Sequence, residues 1–175
     1  MITKNFKALL AAVLHAKSTA KGAVPVKTYA GADTYMAPVF SSGKFPTSAA
    51  ASVVFSTSGN GIYLGSGNTP ATLDDYKLES QITSGLSASS PTYENGGDAD
   101  GNPFSRYTFT LTNDTSSDIV VREIGYVQNL ATAALNGSSS WSALCLLDRT
   151  VLSHPITVPA NGTATLKYTL KTIMS

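Results

Sequence analysis

The glycine-rich stretch from Gly65 to Gly67 could in principle bind a phosphate group. Backbone N–H groups in such loops approach phosphate oxygens closely because glycine has no side chain. Here Pro70 stands where the third glycine of a dinucleotide-binding motif would be, and the loop opens no βαβ unit. The sequence therefore argues against a nucleotide site, and we expect no cofactor.

A second stretch, in the middle of the chain, resembles the start of a calcium-binding loop. Asp98, Asp100 and Asn102 have the spacing of the first three ligands. Such a loop needs a glycine at its sixth position and a carboxylate at its twelfth, and Pro103 and Phe109 stand there instead. A solvated turn is the default interpretation, and a weak cation site is the alternative.

Residues that could serve in catalysis are few and scattered. The two histidines, His15 and His154, lie far apart in the sequence, and no G-x-S-x-G pattern presents a serine nucleophile. Cys145, the single cysteine, is flanked by leucines and is expected to be a buried, inert thiol. Trp141 could line a sugar-binding face, but a position in the core is favoured. The sequence gives no positive indication of an enzyme or of a metal site.

The composition limits the partners that the chain could bind. Only 13% of its 175 residues are charged and the net charge is +1, whereas a typical soluble domain has about 25% charged residues. So few cations make binding to a phosphate backbone a poor hypothesis. No stretch approaches the roughly 18 apolar residues of a membrane-spanning helix. We therefore expect neither nucleic acid nor a membrane as a partner.

Residues 1–22 are predicted to form an amphipathic helix that could serve in assembly. One apolar stripe follows the helical period, and its members are Phe6, Leu9, Leu10, Val13 and Leu14. Residues 23–51 carry prolines without a sustained period, which predicts an extended arm or connector. A helix with one apolar face needs a partner surface, and either its own domain or another subunit could supply it.

Residues 52–175 are predicted to form a β domain. Tyr107, Phe109 and Leu111 alternate with polar residues, and so do the apolar residues between 163 and 172. Further strands are predicted at 119–127, 142–152 and 155–158, with loops at 87–103 and 131–140. Short strands with turns between them indicate a mainly β chain, an antiparallel β-sandwich of jelly-roll or immunoglobulin-like type, with a small barrel as the other possibility.

Several short sequence segments of this β region, taken in order, resemble those of a known protein family. They are Gly61–Pro70 with Asp74–Glu79, then Glu123–Tyr126, Leu146–Leu152, Pro155–Gly162 and a threonine-rich last strand. Their order resembles that of small virion structural proteins of tailed bacteriophages, over residues 61 to 172. The resemblance implies a non-enzymatic β domain, assembled in the host cytoplasm into a virion, with copies of itself and other capsid, neck or tail proteins as partners.

The residues of these segments suit a structural role. Gly65 and Gly67 are expected to permit positive φ and close backbone approach, and Pro70 to stiffen the loop exit. Arg149, in an otherwise apolar stretch, should seek a carboxylate, which Asp148, Glu123 or a neighbouring subunit could supply. The alternative is an arginine on an edge strand that points into water. Asp75 and Tyr76 complete the predicted motif. A host-surface or glycan-binding module is the alternative function, with exposed aromatic residues expected near the loop at 87–103.

Overall fold

The computed structural model of the chain describes residues 1–8, 24–36, 54–133 and 140–171. Within these ranges the chain is mainly β, with nine strands in two antiparallel sheets. Sheet I contains β1 (Val24–Lys27), β2 (Asp33–Met36), β3 (Gly61–Gly65), β7 (Ile119–Ala133) and β8 (Ser140–Val158). Sheet II contains β4 (Leu86–Ala88), β5 (Thr92–Gly97), β6 (Pro103–Asn113) and β9 (Thr163–Lys171).

Each sheet is organised around one central strand. In sheet I, β7 pairs along its length with β8, and its other edge pairs with β3 and, at one position, with β2. In sheet II, β6 pairs with β9 on one edge and with β4 and β5 on the other. All these pairings are antiparallel, as the sequence predicted.

The main hydrophobic cluster takes its residues from both sheets. Its buried members are Ile62, Leu64, Leu86, Phe109, Leu111, Val121, Ile124, Val158, Leu166 and Tyr168. The alternation predicted in β6 and β9 is confirmed, since Phe109, Leu111 and Leu166 are buried while the threonines beside them are not. Full burial of one such side chain stabilises the fold by about 1.5–3 kcal/mol.

A shift of register between β7 and β8 changes which residues of β7 face this core. The shift falls between Val121 and Glu123, so Val121 and Ile124 both belong to the core cluster although they are three residues apart. A bulge adds a residue to one strand and reverses the alternation beyond it. As a result Glu123 lies on the opposite, outer face of sheet I, where the candidate site is built.

Two strand predictions require correction. The predicted strands at 142–152 and 155–158 are one strand, β8, because Pro155 falls where the β7–β8 register shifts and no ladder hydrogen bond needs its missing N–H. The predicted loop at 87–103 contains β5, which pairs with β6. Every residue of β5 is exposed, so its sequence has no hydrophobic alternation that would reveal a strand.

The first residues of the described chain pack against sheet I. Ile2 forms a bridge with Asp148 at the outer edge of β8, and residues 4–8 are helical. Ala8 is buried in a second cluster with Val26, Leu130, Cys145 and Leu147, and Phe6 packs against it. Of the predicted assembly helix, Leu9, Leu10, Val13 and Leu14 lie outside the described residues. The part that is described contacts its own chain.

The predicted connector, residues 23–51, is described from 24 to 36 only. There β1 and β2 form a hairpin in which Val24 pairs with Met36 and Lys27 with Asp33. Gly31 takes φ +89° in the turn, a conformation that favours glycine. The Asn5 side chain holds the hairpin to the first residues, since its Nδ2 donates to the carbonyl of Lys27 and its Oδ1 accepts from the N–H of the same residue. The division of the chain into 1–22, 23–51 and 52–175 stays a prediction.

Candidate functional site

A loop that we call the covering loop, residues 66–82, lies on the outer face of sheet I. It leaves from the end of β3 and returns to it, with Ser66 N–H donating to the carbonyl of Ser80 (2.8 Å) and Ile82 N–H to that of Leu64 (2.8 Å). Ile82 at its end packs against the main core, while its buried apolar residue is Leu78, in a cluster with Tyr63, Val127 and Leu146. These residues come from β3, β7 and β8, so the loop covers the outer face of three strands.

Beside Leu78, sheet I presents a buried ion pair to the covering loop. Arg149 of β8 and Glu123 of β7 are 3% and 0% exposed, and Arg149 Nε donates to Glu123 Oε2 at 2.8 Å. The sequence left Glu123, Asp148 and a neighbouring subunit as possible partners for Arg149. In the structure the partner is Glu123. Asp148 precedes Arg149 in the strand, so its side chain points to the opposite face of sheet I, where its carboxylate accepts a hydrogen bond from the Tyr168 hydroxyl (3.1 Å).

The other two nitrogens of the Arg149 guanidinium reach residues of the covering loop. Nη1 donates to Asp75 Oδ2 at 2.7 Å, and Nη2 donates to the carbonyl of Thr69 at 3.1 Å. Glu79 Oε2 lies 3.7 Å from Nη2 and accepts from Thr69 N–H at 2.8 Å. We call Arg149, Glu123, Asp75, Glu79 and Thr69 the Arg149 cluster. It joins two strands of sheet I to both halves of the loop.

Glu123 holds the loop through its backbone. Its Oε1 accepts from the N–H groups of Gly67 (3.2 Å) and Ser80 (2.8 Å), and its Oε2 also accepts from that of Glu79 (3.1 Å). A buried carboxylate is costly to desolvate unless it is paired and hydrogen-bonded. Glu123 therefore receives three backbone hydrogen bonds and one from a guanidinium, which together compensate its burial.

Gly65 and Gly67 are required for this contact, although only one of the two predicted reasons holds. Neither takes a positive φ, so that part of the prediction is wrong. The close approach is confirmed, since a Cβ on Gly65 would lie 2.5 Å from Glu123 Oε1, and a Cβ on Gly67 would lie 2.6 Å from the same atom. The glycines leave room for the carboxylate rather than for an unusual backbone conformation.

The remaining motif residues stand at the rim of the Arg149 cluster. Tyr76 is half-buried, and its ring lies 5.0 Å from Lys27 Nζ and 5.8 Å from Lys77 Nζ. Pro70 is exposed next to Thr69. A small cavity of about 240 Å³ adjoins the cluster, and Asp74, Asp75, Tyr76 and Arg149 are among the residues that line it.

The ionisation of the cluster is fixed by its own contacts. Burial disfavours the charged form of Asp75, but hydrogen bonds from Arg149 and Thr72 outweigh burial and hold the pKa of Asp75 below its ordinary value. Burial likewise acts against the Arg149 cation, yet the adjacent Asp75 and Glu123 raise its pKa. Hydrogen bonds from Thr69 lower the pKa of Glu79. Asp75, Glu79 and Arg149 therefore stay charged, and each forms hydrogen bonds or ion pairs with its neighbours. Such an arrangement suits holding a loop in place rather than transferring a proton.

The other candidate residues do not join the Arg149 cluster. Asp98 accepts from the N–H groups of Asp100 and Asn102 and pairs with Lys171, which makes it the organiser of a turn. His154 is exposed, with Ser153 Oγ 3.1 Å from its Nδ1. His15 and the Trp141 side chain lie outside the described residues. In the described ranges, no group of three or more His, Cys, Asp or Glu is placed to hold a metal ion.

Cys145 has the environment that the sequence predicted. It is 0% exposed, in the cluster with Leu130 and Leu147, and burial raises the pKa of its thiol to about 12. A thiol in that state gives almost no thiolate near neutral pH, and the thiolate is the nucleophile. The predicted burial is confirmed, and the inertness of the thiol stays a prediction.

Comparison with protein-family models, curated proteins and solved structures gives no match. The resemblance to virion structural proteins therefore stays a prediction from the sequence. Among the described residues, no helix is both long and apolar enough to cross a membrane.

Sequence reasoning found three of the five residues of the Arg149 cluster. It named Arg149 and Asp75 and held Glu123 as a possible partner, but it gave no role to Thr69 or Glu79. It named Gly65 and Gly67 beside the cluster and missed Leu78, which its sequence does not distinguish from Leu73 in the same loop. Thr69 accepts the hydrogen bond of Arg149 through its backbone carbonyl. Every residue has such a carbonyl, so the residue type at position 69 could not indicate this contact.

Proposed function

We propose that this chain is a non-catalytic structural protein that assembles with copies of itself and with other proteins of a bacteriophage virion, in the capsid, neck or tail. The observation that carries the structural part is the Arg149 cluster. The charged residues of the motif, Arg149 and Asp75, form hydrogen bonds and ion pairs with each other and with Glu123, and these contacts fix the covering loop to sheet I. The virion setting rests on the sequence resemblance.

The finer architecture belongs to this proposal. Sheets I and II contribute side chains to one core cluster, which supports a β-sandwich in which the two sheets stack face to face. Antiparallel sheets with one apolar face each usually bury those faces against one another. A rigid sandwich with exposed strand edges is well suited to repeated contacts in an assembly.

The low fraction of charged residues is a second, independent support for assembly. Charged groups are depleted in the core of protein interfaces, because desolvating them costs free energy. With 13% charged residues, the chain presents few charged groups that a neighbour would have to desolvate. The same composition would leave a solitary domain weakly solubilised.

Two measurements test the proposal. Mass spectrometry of purified virions should find the protein at a fixed copy number relative to the other structural proteins. Analytical ultracentrifugation of the purified chain should show oligomers whose population rises with concentration. A chain that stays monomeric at every concentration and is absent from purified particles would refute the proposal.

One observation favours the second candidate, a glycan-binding or host-surface module. Tyr93 in β5 is 69% exposed, and exposed aromatic rings are a common feature of sugar-binding faces. The test is a glycan array with the wild-type chain, Tyr93→Ala and Trp141→Ala. Binding that either substitution abolishes would support this alternative, while an absence of binding would leave the structural function.

A further inference from the structure

An open apolar groove runs between the two sheets beside β9. Its volume is about 860 Å³, and its lining includes Ile124, Tyr126, Thr150, Leu152, Tyr168 and Leu170. The floor belongs to β7 and β8 of sheet I, and one wall is residues 167–171 of β9. Ile2 and Phe6 also line the groove, and no described strand of sheet II lies beyond β9 to fill it.

The strand that borders the groove has an unpaired edge. β9 pairs with β6 from Thr163 to Lys171 without a register shift, and among the described residues nothing pairs with its other edge. Monomeric proteins protect such an edge with lysines, a proline, a bulge or a covering loop. β9 has neither proline nor bulge, and its protection is Lys167 and Lys171 on one face, so it can accept a strand that brings a complementary charge.

The opposite edge of sheet II carries an exposed aromatic residue that faces the core side. Tyr93 of β5 is paired with Tyr107, and Tyr107 is paired with Tyr168. Directly paired residues share a face of the sheet, so Tyr93 lies on the same face as the buried Tyr168. It nevertheless remains 69% exposed, and the outer edge of β5 has no strand partner in the described ranges.

We infer that β5 of one copy adds to the β9 edge of the next copy, so that Tyr93 enters the groove. This inference rests on the proposed self-assembly and names its contact. Both β5 and β9 pair with β6, and this shared partner fixes their relative register: Tyr93 lies level with Tyr168, and Glu94 lies level with Thr169. If a second copy is shifted sideways by the width of sheet II, its β5 lies beside β9 in this register, and its Tyr93 reaches the apolar floor of the groove.

The charges at the two edges are complementary. On the outer face of β9, Lys167 and Lys171 flank Thr169, the residue level with the incoming Glu94. Glu94 is 61% exposed and bonds only across its own strand pair with Arg106 (3.1 Å). Lys167 is exposed and has no ion-pair partner among the described residues. Lys171 is already paired with Asp98 of its own chain, so among the described residues Lys167 is the ammonium group left for the incoming carboxylate.

The strand directions permit this contact and disfavour the symmetric one. β5 and β9 are both antiparallel to β6, so they run parallel to each other, and a sideways copy forms a parallel pair. In full overlap, a two-fold pairing of β9 with β9 would centre on Lys167 and oppose two like charges. The contact is head-to-tail, and such contacts generate rings or filaments.

Site-directed cross-linking of the full chain tests the geometry. Thr92→Cys and Thr169→Cys proteins, which both keep Glu94 and Lys167, are mixed and treated with a short bifunctional maleimide. A covalent dimer containing one copy of each is expected, because Thr92 would lie diagonally opposite Thr169 on the same face. Either variant treated alone should stay monomeric on a denaturing gel, as should a mixture of Asp33→Cys with Thr169→Cys. A dimer from Thr169→Cys alone, or none from the first mixture, overturns the inference.

Two substitutions test the energetics of the same contact. Tyr93→Ala should weaken self-association at least about tenfold, as loss of a central aromatic anchor does at other interfaces, with far-ultraviolet circular dichroism showing unchanged folding. Glu94→Lys should weaken it as well, and Lys167→Glu added to it should restore part of the loss. Oligomers that form equally well with Tyr93→Ala overturn the inference but leave the proposed function standing. A wild-type chain that never associates overturns the inference, and it overturns the proposed function as well if the protein is also absent from purified virions.

Discussion

Arg149 Nε donates a 2.8 Å hydrogen bond to Glu123 Oε2 on the outer face of sheet I, where both side chains are buried. This pair is where two strands of the sheet and the covering loop meet. It explains why a motif rich in small and acidic residues stands beside an arginine in an apolar strand. The stability of the loop should therefore depend on this pair.

Replacing Arg149 with methionine should destabilise the protein by about 3–5 kcal/mol, because Glu123 would remain buried without its cationic partner. Urea denaturation followed by tryptophan fluorescence or circular dichroism measures this free energy of unfolding. Arg106→Met is the matched control, since Arg106 forms its ion pair with Glu94 at the surface and should contribute less than about 1 kcal/mol. Equal losses in the two variants would contradict the role of the cluster.

Gly67→Ala should lower stability by about 1–3 kcal/mol, because the new Cβ would stand 2.6 Å from both Glu123 Oε1 and the Cβ of Glu79. The melting temperature from differential scanning calorimetry gives the effect. Gly59→Ala serves as control, since the nearest atom to its Cβ would be Ser56 Oγ at 3.5 Å. A melting temperature that changes as little for Gly67→Ala as for Gly59→Ala would refute the tight contact.

Asp75 should give the protein an acid-sensitive component of stability. Its pKa is lower in the folded chain than its ordinary value, so the unfolded chain binds the proton more tightly. Its contribution is complete above the unfolded pKa of about 3.9 and is lost as the pH falls through the lower folded pKa. Urea denaturation between pH 6 and pH 3 should show a smaller decrease for Asp75→Asn than for the wild-type chain.

The control for that titration is Asp33→Asn, whose carboxylate is 88% exposed and lies 3.8 Å from Lys27 Nζ. Its stability should follow the wild-type curve over the whole pH range. If Asp75→Asn and the wild-type chain lose stability in parallel on acidification, Asp75 does not act through the Arg149 cluster.

Cys145 should resist thiol reagents as long as the protein is folded. Its thiol is fully buried and its pKa is raised to about 12, so access and thiolate formation are both suppressed at pH 8. Reaction with a chromogenic disulfide reagent should be at least about a hundredfold slower in buffer than in 6 M guanidinium chloride, where the thiol regains its ordinary pKa of about 8.5. Rapid labelling in buffer would mean that sheet I opens near β8.

The sequence was most informative where one face of a strand is buried. In β6 and β9 the alternation around Phe109 and Leu166 predicted both the strands and their inner faces. It failed for β5, where Tyr93 and its neighbours are all exposed, because a strand exposed on both faces has no alternation. It also failed at Pro155, because a proline is tolerated inside a strand at a sheet edge or at a register shift, and both depend on how β8 pairs with β7.

For the Arg149 cluster, the sequence by itself determined that a buried arginine would need a carboxylate and that Gly65 and Gly67 would allow something to approach closely. Only the tertiary structure decided what approaches. Glu123 and Asp75 are 26 and 74 positions away from Arg149, and the register shift in β7 turns Glu123 outward to meet it. Alternation within a strand is a local property that residue types reveal, whereas the choice among distant carboxylates depends on how the strands pair.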